Sequence, residues 1–220
     1  MSQLALLIDN DVVIKLAQMR VYGEAIVALG YRRHEVGTLR FMLNYMGKSS
    51  NARRLAFMRS QQGAADQFKI VLDSIQELET TEDEAKLAAQ LMRRILLEEL
   101  DMDEGEVTLI AVAISRKPPA LATGDKRALS GVPALALHEP CVTALHGKFI
   151  CFEQVVKRLC SQLGMPRVRT AIATDRRADP MVTQAYDACA SGGQAYFISA
   201  LDFVVSKQLG ALCGTWLVAI

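Results

Sequence analysis

At 220 residues and 24.1 kDa, with 51% hydrophobic residues, the chain has enough apolar material for one well-buried domain plus an appendage, and it is not a disordered protein. Its 25 basic and 24 acidic residues leave a net charge of +1, which alone neither marks nor excludes a polyanionic partner. Cys141, Cys151, Cys160, Cys189 and Cys213 form no C-x-x-C pair and have no histidine pair nearby. That argues against a zinc site or a disulfide framework and fits reduced, buried thiols in a cytoplasmic protein.

Leu4 to Ile8 read as a short buried strand that reaches Asp9 at once, with no basic region before it, so a strand is expected here and not a signal peptide. Val36, Leu39, Leu43 and Met46 recur at helical spacing and predict a helix over 31–46, followed by a second over 52–60. Thr81-Glu82-Asp83-Glu84 is a capping box that opens a helix with Leu87, Ala88, Leu91 and Ile95 on its apolar face. Acids clustered from Asp103 to Glu106 favour the positive end of another helix, which should end before Lys117-Pro118-Pro119. Two more short strands are predicted at 120–124 and 132–137.

Beyond these, Val155, Val156, Leu159 and Leu163 lie on one face of an amphipathic helix, 167–180 reads as loop, and helices are expected near 180–190 and 195–209. Asp202 and Lys207 interrupt the apolar C-terminal stretch, so burial in protein is expected there and not a membrane span. Alternating strands and helices with short connections predict an α/β fold, a three-layer α/β/α sandwich with a short parallel sheet of four or five strands. A boundary near residue 150 divides it into 1–150, carrying the sheet, and 151–220, a helical C-terminal extension. The extension's apolar faces need a partner, either the sheet domain or a second subunit, and a homodimer is the expectation.

Charge is unevenly placed. Between Val36 and Ala65 stand Arg40, Lys48, Arg53, Arg54 and Arg59 with no acid, whereas 73–106 holds half of all carboxylates. Two solvated helix faces explain this as well as a phosphate-binding strip, for which Arg53 and Arg54 are the candidates. Gly47-Lys48-Ser49 has the end of a P-loop but Met42 where the first glycine belongs. Three histidines and no nucleophile elbow argue against a hydrolytic triad, and Trp216 reads as packing.

Asp9 follows one predicted strand, Asp125 another, and Glu106 opens a helix. Carboxylates beside buried strand ends are costly unless employed. Distant acids gathered at the carboxyl edge of a parallel sheet suit a hard cation such as Mg²⁺ or Mn²⁺, which can activate water against a phosphodiester. The reading this supports is a metal-dependent nuclease.

Three segments in order resemble the PIN-domain family: Leu-Leu-Ile-Asp9-Asn-Asp11-Val, Gly105-Glu106-Val-Thr-Leu-Ile-Ala111, and Ala122-Thr123-Gly124-Asp125-Lys126-Arg127. The resemblance covers about 4–138. It implies an Mg²⁺- or Mn²⁺-dependent endoribonuclease, many members being VapC-like toxins held by an antitoxin. Position by position it implies catalytic acids at Asp9, Glu106 and Asp125, which would hold metal, a supporting hydroxyl at Thr123, and a further acid at Glu35, with Glu24 behind it. Asp11 stands where the family more often has asparagine or serine, so its role is a ligand or a hydrogen bond. Lys126 and Arg127 are candidates to contact substrate phosphate, or surface charges at a helix start. The D-x-D-x-V pattern at Asp9 also resembles haloacid-dehalogenase-like phosphatases, although the second late aspartate of that class is missing after Asp125. A non-catalytic scaffold that binds RNA or protein is the third reading.

Overall fold

Residues 3–40, 62–189, 192–212 and 215–219 are described by the computed structural model of the protein. Among these residues five short strands pair in parallel: β1 (Leu6–Ile8), β2 (Val36–Leu39), β3 (Gln76–Leu78), β4 (Ala120–Thr123) and β5 (Phe149–Cys151), in the order β3-β2-β1-β4-β5. Every residue of β1, β2, β4 and β5 is buried, as expected of strands covered on both faces.

The helices among the described residues are, in chain order, α1 (Asn10–Gln18), α2 (Tyr22–Ala28), α3 (Gln62–Leu72), α4 (Glu82–Leu97) and α5 (Glu104–Arg116). They continue as α6 (Lys126–His138), α7 (Phe152–Leu163), α8 (Met165–Thr174), α9 (Pro180–Ala188) and α10 (Gln194–Leu209). Strand alternation divides the core in two. Leu6 and Ile8 join a cluster with α1, α2 and α7 to α9, whereas Leu7 joins another with α4, α5 and α6. The protein is therefore an α/β fold with helices on both faces of a five-stranded parallel sheet.

Several segments differ from the sequence reading. The helix expected over 31–46 is, in its described part, a 3₁₀ turn at Arg33–Glu35 leading into β2. Val36 and Leu39 are three apart, which fits one helix face equally well, but here they serve opposite faces of a doubly covered strand. The strand expected at 132–137 is the second half of α6, whose buried Ala128, Leu129, Val132 and Leu135 follow helical spacing around Pro133. Segment 167–180 is largely α8, opened by Pro166 in its first turn. The predicted helix over 52–60, the Gly47-Lys48-Ser49 motif and Cys213 lie outside the described residues.

The residues after 150 share a core with those before it. Val155, Val156 and Leu159 are buried in one cluster with Ile8, Val12 and Ile26, so the extension's apolar helix is covered within the same chain. Each such side chain contributes about 1.5–3 kcal/mol of burial. Arg167 of α8 donates to the Glu24 carboxylate of α2 at 2.9 and 2.5 Å. The C-terminal segment runs beside β5, where the Phe149 N–H donates to the Trp216 carbonyl and the Val218 N–H to the Phe149 carbonyl. Trp216 is buried against the His146 ring at 4.1 Å, a packing role. On the other face, the Arg116 guanidinium grips the buried Glu84 carboxylate at 2.7 and 2.8 Å and fastens α5 to the capped start of α4. Among the described residues, no helix is long and apolar enough to cross a membrane.

Candidate functional site

Strand order places the reversal of the chain between β1 and β4, the position where ligands bind outside the carboxyl ends in open parallel sheets. Asp9 directly follows β1, and Thr123, Gly124 and Asp125 close β4. The two strands are paired up to Ile8 and Ala122, and the Asp9 N–H donates to the Ala122 carbonyl at 2.8 Å, so their acids emerge side by side at one edge.

The Thr123 hydroxyl joins them. It donates to the Asp9 carboxylate at 3.3 Å and accepts from the Asp125 N–H at 3.3 Å. Asp9 is 5% exposed, and burial, then the charge of Asp11, pushes its carboxyl up to about 6. Asp125 caps α6: its carboxylate accepts from the Arg127 N–H at 2.8 Å, the Ala128 N–H at 3.3 Å and the Arg127 guanidinium at 2.7 Å. Burial pushes the Asp125 carboxyl up, but these partners outweigh it and hold the group below the usual range. Glu106 approaches from the start of α5, where it and Asp103 form a reciprocal capping box at 2.8 and 2.9 Å. Burial pushes Glu106 up to about 8, with the charges of Asp103, Asp125 and Asp9 adding to the rise. A narrow crevice lined by Glu106, Leu109, Leu121, Thr123 and Phe149 opens beside it. The starts of α1, α5 and α6 thus each carry one of these acids at their positive ends: Asp9, Glu106 and Asp125.

Not every sequence candidate belongs here. Glu35 is a correction: it precedes β2, whose Val36 pairs with Leu6, and therefore lies at the amino edge of the sheet, opposite Asp9. Its carboxylate accepts from the Arg32 N–H at 2.8 Å and caps the 3₁₀ turn. Glu24 is engaged with Arg167 on α2. Arg53 and Arg54 lie outside the described residues. Lys126 is turned inward, 2.7 Å from the wholly buried Glu153 carboxylate. Arg127 stays exposed, shared between Asp125 and Asp101.

Sequence reasoning missed two contributors from the far part of the chain. Glu153 lies in the first turn after β5, and Asp179 caps α9 with its carboxylate on the N–H groups of Met181 and Val182, both at 2.9 Å. The other Asp179 oxygen stands 3.0 Å from Lys15 Nζ, which is also 2.6 Å from Asp11. The Asp11 to Lys15 spacing of four residues in a helix and the Asp-Pro start of α9 were the available signals.

Among the described residues, no set of three or more His, Cys, Asp or Glu side chains stands in ligating arrangement. The donor set of Asp9, Glu106, Asp125 and Thr123 is nevertheless all oxygen, Asp9 and Glu106 have no cationic partner among the described ion pairs, and Asn10 Oδ1 beside Asp9 is buried without a hydrogen-bond partner. That chemistry fits a hard divalent cation. Neither protein-family models, nor curated proteins, nor solved structures give a match to this chain.

Proposed function

We propose that the protein is an Mg²⁺- or Mn²⁺-dependent endoribonuclease of PIN-like kind, with Asp9, Glu106 and Asp125 as the acids that would hold the cation. The observation that carries this reading is the meeting of Asp9, Thr123 and Asp125 at the β1/β4 switch point with Glu106 in electrostatic reach. A bound divalent ion supplies an activated water and neutralises charge developing on a phosphodiester. Thr123 fixes the Asp9 carboxylate against the strand end. Arg127 holds Asp125 in place and, being exposed, is available to a substrate phosphate. RNA as substrate and an antitoxin as partner follow from the family resemblance. A homodimer belongs to the same proposal, although α7, whose apolar face suggested it, is buried within the chain.

The test is cleavage of a generic single-stranded RNA against hydrolysis of a phosphomonoester, each with Mn²⁺ and with EDTA. Mn²⁺-dependent RNA cleavage supports the proposal. Phosphomonoester hydrolysis without RNA cleavage supports a haloacid-dehalogenase-like phosphatase, and RNA binding without either activity supports a scaffold.

A further inference from the structure

Lys15 is a feature of this edge that the nuclease reading leaves unused. Its side chain is 13% exposed, and its ammonium lies 2.6 Å from Asp11, 3.0 Å from Asp179 and 5.1 Å above the Phe152 ring. These three partners come from α1, from the cap of α9 and from the residue after β5, so the position is built by the whole fold. Asp179 cannot turn away, because its other oxygen is taken by two helix N–H groups. Gly124 completes the seat: a Cβ there would lie 2.3 Å from the Asp11 carboxylate and 3.0 Å from Lys15 Nζ. Glycine between Thr123 and Asp125 is what lets this ion pair lie against the end of β4.

Two-metal phosphodiester sites place their ions about 3.5–4 Å apart. Here the carboxylate next to Asp9 in the chain's first acidic segment already holds a fixed positive charge. We propose that Lys15 is this site's own second cation: Asp11 serves as its anchor and not as a metal ligand, the protein takes up a single divalent ion on the side of Asp9, Glu106 and Asp125, and the C-terminal extension sets that number through Asp179. This rests on the divalent-metal reading above and assigns residues 151–220 a part in the site. The charge count agrees, since Lys15 offsets Asp11 or Asp179 while Asp9 and Glu106 have no cationic partner among the described ion pairs.

The test is a Mn²⁺ titration of the full chain, with bound ion counted by electron paramagnetic resonance. Wild type saturates at one Mn²⁺, and Asp11→Asn does the same with affinity close to wild type. Lys15→Met leaves Asp11 and Asp179 without a cation and takes up a second Mn²⁺, which Asp11→Asn on top of it removes. A single Mn²⁺ on folded Lys15→Met overturns the proposal, and Lys15→Gln serves in its place if Lys15→Met fails to fold. Two ions on wild type, or a loss of about tenfold or more in affinity with Asp11→Asn, the size of effect seen when metal-supporting groups are removed, overturns the proposal. No Mn²⁺ on wild type overturns the metal reading and this proposal together, and the missing wild-type signal distinguishes that from failure of the proposal alone.

Discussion

Replacing Asp9 with asparagine should make the metal-free protein more stable while removing its function. The carboxyl is held near 6 against an ordinary 3.8, chiefly by burial, so keeping it ionised at neutral pH costs folding free energy. At about 1.4 kcal/mol per pH unit, the interval from 3.8 to about 6 corresponds to about 3 kcal/mol. Asparagine has almost the same shape and can still accept from the Thr123 hydroxyl, so a gain of about 1–3 kcal/mol is expected. The sign follows from proton binding. A carboxyl raised in the folded state binds protons that the unfolded chain has released, so its stabilising share is complete below about pH 4 and is lost as pH rises through about 6. The gain from Asp9→Asn should accordingly be largest above about pH 6.5 and vanish below about pH 4. Urea unfolding in EDTA at several pH values measures it. A variant less stable than wild type at pH 7.5, or a gain that does not change with pH, would refute the reasoning. Added Mn²⁺ should reverse the order, because an ion that binds only the folded wild type raises its stability by mass action.

Arg116→Met strands the buried Glu84 carboxylate and should cost about 2–4 kcal/mol in urea unfolding, at the low end of values for broken buried pairs because the guanidinium is partly exposed. Leu159→Ala removes a side chain from the core shared by the sheet and the extension and should cost about 2–5 kcal/mol. If the unfolding midpoint does not move, the extension is not part of that core. Gly124→Ala drives a Cβ into the Asp11 carboxylate and should shift it off Lys15, lowering activity while costing about 1–3 kcal/mol of stability. Full activity in that variant would mean that the Asp11 seat is immaterial to the site.

What the sequence revealed of this molecule was its local signals. β1 and β4 stood out as apolar runs ending in aspartate, and the capping box at Thr81 to Glu84 is formed as written. The acid cluster at 103–106 likewise opens α5. β3 escaped because Gln76-Glu77-Leu78 carries no apolar run, and β5 because Phe149-Ile150-Cys151 passes straight into the amphipathic helix that follows it. α6 was half missed because 132–137 is a short apolar run of strand length, although Asp125 ahead of it was a helix cap in plain view. Asp9 and Asp125 could be paired in advance because both end strands of a parallel sheet. Glu35 was misplaced because the helix expected around it is a turn before a strand, which moves the acid to the other edge. Asp179 and Glu153 reach the site only through tertiary packing of helices that no short motif announces.

Whether the carboxylates at the β1/β4 edge carry phosphodiester cleavage is tested directly by comparing wild type with variants at that edge. Wild type, Asp9→Asn and Asp125→Asn, each confirmed folded by circular dichroism, should be incubated with a fluorescently labelled single-stranded RNA in Mn²⁺. The expected result is cleavage by wild type that EDTA abolishes, with both variants inactive. Cleavage by both variants at the wild-type rate, or none by wild type in Mn²⁺ or Mg²⁺, would contradict it.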